Sequence, residues 1–390
     1  MIMCDVERLY KIFRQLYHAD PVIARAPGRI NLIGEHTDYN NGFVLPAAID
    51  KSVYVAVSKR SDNEIHLHAE EYNENYIANI ENLHQSKFHW SGYVLGVAEQ
   101  LQKRNCPLTG FNMIIDGDLP LGAGMASSAA IECAAAFAFN ELFELELSKL
   151  DMVKIAQKAE QDFVGLQCGI MDMFTSIFGK KDHVICLDCR SFEYEYYPFK
   201  QDGVKIVLLD TSIKHSLASS EYNTRRRQCE EGVAFIQQHE PEVQSLRDVN
   251  MSMLNKYVAH NTIIYNRCRF VVEEIERLVD ACKDLQLNDI TAFGKKMYAT
   301  HTGLSKLYEV SCKELDLLVD LVRPDRSVIG ARMMGGGFGG CTINIVKTDA
   351  VEELIYNTRN AYRDKTGMNL NAYVAVIGGG ANIMEELMHV

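Results

Sequence analysis

The sequence predicts an α+β protein built in two lobes, with mixed sheets and helices packed on them. Strand-type alternation and helix-type periodicity occur in both halves, without the regular βα alternation of a parallel doubly wound sheet. The 390 residues also exceed what one hydrophobic core ordinarily serves. A seam near residues 190–215 divides the chain, which reads as domains 1–200 and 201–390. No internal repeat and no low-complexity tract is present.

Val6, Leu9, Phe13, Leu16 and Tyr17 recur at helical spacing, which predicts an opening amphipathic helix ended by Pro21. Residues 22–34 read as a strand broken at Pro27-Gly28, followed by a polar cluster, 35–42, that closes on the turn signal Asn41-Gly42. Val53–Val57 and Ile65–Ala69 alternate as half-buried strands do. Residues 93–103 are helical, and 111–116 form a strand that enters the loop Asp116–Ala130. An alanine-rich helix follows, then helical periodicity from Lys149 to Val164. Strands are expected at 183–188 and 204–210, and a mostly helical stretch from Glu221 to Val322 has turn signals at Asn288-Asp289 and Thr302-Gly303. Gly335–Gly340 leads into the strand Cys341–Val346, and a helix at 350–364 and a strand at 373–377 close the chain.

With 47% apolar and 24% charged residues the chain is an ordinary globular protein, and its net charge of −12 argues against binding nucleic acid or an anionic membrane. The run Arg225-Arg226-Arg227 reads as a solvated helix face. Eleven scattered cysteines suggest free thiols in a reducing compartment, and Cys186-Leu-Asp-Cys189 lacks the second pair a zinc site needs. Asp5, Glu7 and Arg8 stand where a signal peptide would be apolar, and no run reaches membrane-spanning length. The expectation is a cytoplasmic protein.

The loop Gly122-Ala123-Gly124-Met125-Ala126-Ser127-Ser128 joins a strand to a helix. Its glycines permit close backbone approach, and its serines open a helix whose free N–H groups favour an anion. A plain tight turn with a serine N-cap fits equally. A P-loop is excluded, since no lysine precedes the serines. A Rossmann fingerprint lacks its third glycine, although Glu144 or Glu146 lies at about the spacing of a ribose-binding acid. The remaining reading is a cradle for ATP phosphates, and the second glycine cluster at 335–340 suits a bipartite cleft; a bulged turn before a strand is the alternative there.

Phosphoryl transfer needs a phosphate cradle, a metal ligand, a cation and often a carboxylate facing the acceptor hydroxyl. Arg29 follows the Pro-Gly turn and is the candidate cation, or else a surface ion-pair partner. Glu35, His36 and Asp38 concentrate donors and acceptors suited to a polyhydroxylated ligand. Asp172, alone among Ile170, Met171, Met173 and Phe174, is the candidate base, though by its own segment it reads as a surface acid. Glu160, otherwise an exposed helix acid, is a hard oxygen ligand for Mg²⁺.

Taken together these motifs resemble the GHMP small-molecule kinases, and within them the galactokinase family. Arg25–Pro46 is similar to the galactokinase signature, Leu119–Ala130 to the shared phosphate loop and Met334–Cys341 to the third, glycine-rich motif. Glu160, Gly169–Asp172, Ser220–Arg226 and Leu307–Cys312 are similar to galactokinase segments. The resemblance implies the two-lobed GHMP fold with its active site between the lobes, and ATP-dependent phosphorylation of the anomeric hydroxyl of D-galactose to galactose 1-phosphate, an opening step of galactose use. It implies that Asp172 accepts the hydroxyl proton and Arg29 stabilises the transferring phosphoryl group. Glu35, His36, Thr37 and Asp38 would bind the sugar, with Tyr222 closing on it. Gly122 to Ser128, with Gly335, Gly336 and Gly337, would bind ATP, and Ser128 with Glu160 would hold Mg²⁺. The partners implied are galactose and ATP, the working form a monomer. Three positions depart from the family's pattern: Ala126 for a serine, Met173 for a glutamine and Met334 for a threonine. A kinase for another sugar, a galactose and ATP sensor without catalysis, and a nicotinamide-dependent oxidoreductase are the competing functions.

Overall fold

The computed structural model describes residues 6–85, 89–120, 122–199, 203–213 and 218–384. The first part of the chain runs α1 (Val6–Tyr17), β1 (Val22–Asn31), β2 (Phe43–Val44), β3 (Pro46–Lys59), β4 (Glu64–Ala69) and β5 (Glu74–Asn79). It continues through α2 (His89–Lys103), β6 (Phe111–Gly117), α3 (Ser127–Leu142), α4 (Lys149–Lys158), a π-helical turn (Ala159–Val164), α5 (Met171–Phe178), β7 (His183–Asp188) and β8 (Tyr194–Pro198). Then come β9 (Val204–Asp210), α6 (Ala218–Gln237), α7 (Met251–Tyr257), α8 (Thr262–Gln286), α9 (Ile290–Gly303), a second π turn (Leu304–Tyr308) and α10 (Lys313–Val322). The strands β10 (Val328–Met333) and β11 (Cys341–Lys347), α11 (Val351–Thr366), β12 (Asn371–Ala375) and β13 (Asn382–Ile383) complete it.

The predicted mixture of strands and helices is what forms. One sheet has the order β13-β1-β3-β6-β4-β5, a second β10-β11-β9-β12, and a small third β2-β7-β8. Among the described residues every strand pair is antiparallel except β4 with β6. This antiparallel architecture removes the dinucleotide reading, because a Rossmann acid must end the strand next to the glycine loop's own strand. Here α3 carries the chain about 24 Å away before Glu144 and Glu146 are reached. The expected domain boundary at 200/201 falls outside the described residues. The end of the chain returns to the first sheet, where β13 pairs with β1 through Ala24 and Ile383. Two further expectations shift. Thr302-Gly303 ends α9 and runs on into the π turn rather than forming a loop, and the last long strand begins two residues earlier, at Asn371.

The largest core lies between the first sheet and α2, α3, α4 and α5, and includes Ile30, Val55, Met113, Phe139 and Phe174. The small side chains of Ala129, Ala130, Ala134, Ala135 and Ala138, all buried, let α3 lie close on β1 and β3. On the outer face of that sheet, α1 buries Leu9 and Phe13 against Ile23, Ala56 and Ile114. A second core joins α6 to α8, and a third sits under the second sheet with α10 and α11. Helix α8 spans two of these. Cys268, Phe270 and Val271 belong to the helical core, while Leu278, Ala281 and Cys282 belong to the largest one.

One acid interrupts the alanine helix. Glu132 is fully buried, and neither carboxyl oxygen has a hydrogen-bond partner. Burial first, then the charges of Glu160 and Asp172, push its pKa well above the ordinary carboxylate value. The folded chain therefore keeps a proton there that the unfolded chain loses above roughly pH 4.3. Stability from this group is present below that pH and lost as pH rises through the folded value. Glu132→Gln should accordingly lose less unfolding free energy than the parent between pH 5 and pH 8, by about 1–3 kcal/mol. Urea unfolding of both proteins at the two pH values measures the difference.

Candidate functional site

The candidate site grows from the turn after β1. Chain direction reverses between Gly34 and Gly42, and the Thr37 hydroxyl is used inside the turn, at 2.9 Å from the Gly34 carbonyl and 2.6 Å from that of Phe43. Gly34 and Gly42 both donate backbone N–H bonds that close it, to the Glu274 carboxylate at 2.9 Å and the Thr37 carbonyl at 2.8 Å. Gly34 has φ +88°, and a Cβ there would overlap Leu278 of α8, so only glycine lets the turn lie on that helix. With its hydroxyl committed and its side chain fully buried, Thr37 is part of the scaffold. Its side chain is absent from the lining of the cavity beside the turn.

Its neighbours face inward. Arg29, Glu35, His36, Asp38, Ser128, Glu160, Asp172, Tyr222, Gly335 and Gly336 line one cavity of about 130 Å³. Larger grooves lie elsewhere, around Phe43, but none collects this set of charges. Arg29 holds both oxygens of Asp172, with Nε at 2.7 Å and the second nitrogen at 2.9 Å. Its remaining nitrogen donates to the Gly124 carbonyl at 2.6 Å, and its backbone N–H to the Met125 carbonyl at 3.1 Å. Arg29 is 5% exposed and Asp172 25% exposed, so the surface readings of both give way to a cleft ion pair.

The carboxylates are balanced by two guanidinium groups. Glu35 accepts from Arg332 at 2.6 Å. Burial would raise the Glu35 pKa, but Arg332 and Arg29 overcome it and hold the group below the usual range. Asp38 has no such partner. Burial and then the Asp172 charge push it up to about 7, against the backbone N–H groups of Tyr39 and Met171. Glu160 is likewise pushed up to about 7 by burial, with a hydrogen bond from Ser128 opposing the shift. It is 3% exposed, on the π turn rather than on an open helix face.

His36, at φ +62°, stands in a nest of tyrosines. Its ring centroid lies 4.9 Å from Tyr308 and 5.4 Å from Tyr222. Nδ1 is 2.8 Å from the Tyr39 hydroxyl, which is 2.7 Å from that of Tyr308, itself 3.2 Å from Cys229 Sγ. Nε2 is buried and makes no full hydrogen bond, with only the Gly336 backbone near enough to attract it. Burial, helped by Arg225 and Arg332, lowers the His36 pKa to about 4, so the ring is neutral at physiological pH.

The two glycine clusters meet. Gly335 approaches the Gly124 carbonyl so closely that a Cβ would stand 3.2 Å from it, and one on Gly340 would be 3.5 Å from the Gly124 nitrogen. Helix α3 begins without a serine cap. Its N-cap is Ala126, left-handed at φ +58°, and no side chain bonds to the first turn. The first intrahelical bond runs from Ala130 N–H to the Ala126 carbonyl at 3.0 Å, which leaves the N–H groups of Ser127, Ser128 and Ala129 without a helical acceptor. Of the phosphate-loop residues, Ala123 and Met125 turn their side chains into the core, so only backbone is available from them. Gly122 and Gly337 are outside the cavity lining.

Sequence reasoning missed Arg332. It is fully buried at the end of β10 and donates to the Leu32 carbonyl at 2.9 Å, the Met333 carbonyl at 2.6 Å, the Asn31 carbonyl and Glu35. An arginine inside the apolar strand Val328–Met333, next to a glycine cluster, was the available signal. Arg225 is a second correction. Far from a solvated face, it is 7% exposed and donates to the carbonyls of Tyr308 at 2.8 Å and Glu309 at 2.7 Å, anchoring the helix that carries Tyr222.

Three family models match the chain: the galactokinase galactose-binding signature over residues 11–59, the GHMP kinases N terminal domain over 92–180 and the GHMP kinases C terminal over 272–364. A galactokinase of Thermotoga neapolitana is 42% identical over 347 residues, 89% of this chain and 95% of that protein. One of Fusobacterium nucleatum is 39% identical over 385 residues, covering 96% and 99%. Among solved structures, Lactococcus lactis galactokinase complexed with galactose superposes with a TM-score of 0.93 at 31% identity, covering 97% of this chain and 100% of that one. A mevalonate kinase structure matches with a TM-score of 0.63 at 19% identity and shares the fold.

Two substitutions probe the architecture of this cleft. Arg332→Met leaves Glu35 buried beside three emptied carbonyls, and should destabilise the protein by about 3–5 kcal/mol in urea unfolding. Gly169→Ala places a methyl group onto Asp38 Oδ2. It should weaken ligand binding at the cleft, read by calorimetric titration with galactose, while circular dichroism stays unchanged.

Proposed function

This chain belongs to the galactokinase family of the GHMP kinases, and we propose that it transfers the γ-phosphoryl group of ATP to the anomeric hydroxyl of D-galactose, giving galactose 1-phosphate and ADP. The observation that carries this reading is the Arg29–Asp172 pair. It is joined to the glycine–serine loop through Gly124 and Met125 and opens into the cavity that also holds Glu35, His36 and Asp38. Sugar and phosphate determinants thus meet at one cation and one carboxylate.

In this reading the sugar lies against Glu35, His36, Asp38 and Tyr222. A charged carboxylate accepts two hydroxyl bonds, and a neutral imidazole can donate or accept one, so the set discriminates hydroxyl stereochemistry by geometry. Asp172 keeps lone pairs on both oxygens beyond those used by Arg29, and takes the anomeric proton as the hydroxyl oxygen bonds to phosphorus. Arg29 supplies the positive charge at the equatorial oxygens as the bond to the ADP oxygen breaks. Phosphate oxygens would meet the uncapped N–H groups of Ser127 to Ala129 and the backbone of Gly335 and Gly336, with α3 adding its positive end.

The donor set fits Mg²⁺. Ser128 and Glu160 offer hard oxygens on the cavity wall, and a buried carboxyl whose pKa has risen to about 7 is one that lacks a cation partner. Once bound, Mg²⁺ would neutralise charge on the phosphate oxygens. The ten described cysteines are free thiols, which supports a reducing compartment.

The test is ADP release in a coupled assay over a panel of aldoses and N-acetylgalactosamine with Mg-ATP. Galactose should turn over fastest. Asp172→Asn should lower kcat by about 10²–10⁴ with little change in galactose KM, since it removes a proton acceptor and keeps the shape. Failure of the parent protein to release ADP with any sugar, while galactose and ATP still bind in titration, would show a sensor instead.

A further inference from the structure

Behind the cleft, two thiols face each other across the junction of β7 and α8. Cys282 Sγ lies 3.7 Å from Cys186 Sγ, with its S–H directed at it. Both residues line one open cavity of about 630 Å³, together with Phe43, Tyr194 and Tyr197, so a small reagent reaches them from solvent. From this geometry we infer that Cys186 and Cys282 are a redox-modifiable pair, closed to a disulfide by hydrogen peroxide and reopened by thiols. No part of the kinase chemistry uses either residue.

The step balances without help from the rest of the protein. The Cys186 thiolate attacks one peroxide oxygen, the O–O bond breaks and hydroxide leaves, giving a sulfenic acid. Cys282 sulfur then attacks the Cys186 sulfur and displaces a second hydroxide, which takes the thiol proton as water. Two thiols are oxidised, one peroxide is reduced and two waters form. The geometry sets the order, since Cys186 accepts the S–H of Cys282 and is the less buried of the two. The hydrogen bond from Cys282 keeps the Cys186 thiol below its ordinary value, aided by Arg247 and opposed by burial, Glu195 and Asp188, whereas Cys282 is driven up by its neighbour and by burial.

Where the bond would form gives it a consequence. Strand β7 pairs with β2 through Phe43 and Asp188, and the Phe43 carbonyl receives the Thr37 hydroxyl of the sugar turn. Helix α8 braces that same turn through Glu274 and Leu278, eight and four residues before Cys282. A Cys186–Cys282 bond would therefore strap together the two supports of the turn, across 96 residues of chain. Such a long closed loop restricts the unfolded chain strongly, so the oxidised form gains stability.

The full chain is treated with hydrogen peroxide under native conditions, then quenched, alkylated and mapped by proteolysis and mass spectrometry. The expected result is a loss of two titratable thiols, a single linked peptide pair containing Cys186 and Cys282, reversal by dithiothreitol and a higher urea midpoint for the oxidised protein. Cys186→Ser and Cys282→Ser, each one atom different, should fold with the parent's midpoint under reducing conditions and show neither the link nor the gain. Links dominated by Cys189 or other cysteines overturn the inference. So does oxidation that stops at sulfinic acid on Cys186 with Cys282 still free.

Discussion

The buried guanidinium of Arg332 is the constraint on which the rest of the cleft depends. It reaches from the last residues of β10 across to β1 and takes up the Asn31 and Leu32 carbonyls, its own neighbour's carbonyl and the Glu35 carboxylate. A planar fork of donors fits this task, since a lysine ammonium could not serve four acceptors spread around one plane. The strand end that precedes the second glycine cluster and the turn that carries the candidate sugar ligands are thereby fixed to one rigid group. Desolvating an arginine is costly, so such a residue persists only where its acceptors would otherwise be stranded.

Charge is distributed around this fork with little to spare. Glu35 and Asp172 each have a guanidinium; Asp38 and Glu160 do not, and their carboxyls rise toward neutrality. His36 answers from the other side, kept uncharged by burial and two nearby arginines. Burial magnifies each unpaired charge in this cleft, which is why Asp38 and Glu160 shift so far. Tyr39, Tyr222 and Tyr308 pack around the imidazole, and the Tyr39 hydroxyl, backed by that of Tyr308, meets its Nδ1 while Nε2 is left without a partner.

Backbone shape supplies the phosphate side. Ala126 adopts a left-handed conformation that ordinarily favours glycine, at a cost of about 1 kcal/mol. Because it bears no hydroxyl, the helix behind it starts uncapped. The departure from the family's serine thus leaves the amides of Ser127 to Ala129 unshared by a side chain at that position. Met334, the threonine's replacement, is buried in the main core and acts as packing. Met173 is fully buried too and packs in the same core, so at that position a hydrogen-bonding side chain has been exchanged for an apolar one.

Elements with a strong period were legible from sequence alone: α1 from its apolar stripe, β1 from its β-rich run, α3 from its alanines, and the strand that follows the second glycine cluster. Local composition settles these, because periodicity and glycine placement act within a few residues. The signature Arg25–Pro46 and the two glycine motifs also carried the family. What lay beyond sequence was who is buried with whom. For Asp172 and Arg29, the candidate base and cation, a surface position stayed open until strand pairing and helix packing brought them within 2.7 Å across 143 positions. Arg225 read as solvated until the second π turn offered it two carbonyls, and the burial of the Thr37 hydroxyl inside its turn was likewise hidden. Arg332 and Glu132 gave only the faint sign of a charge in an apolar run. Residue type and spacing determine which groups are available; the environment that sets their charge and direction arises only when distant segments pack and water is excluded.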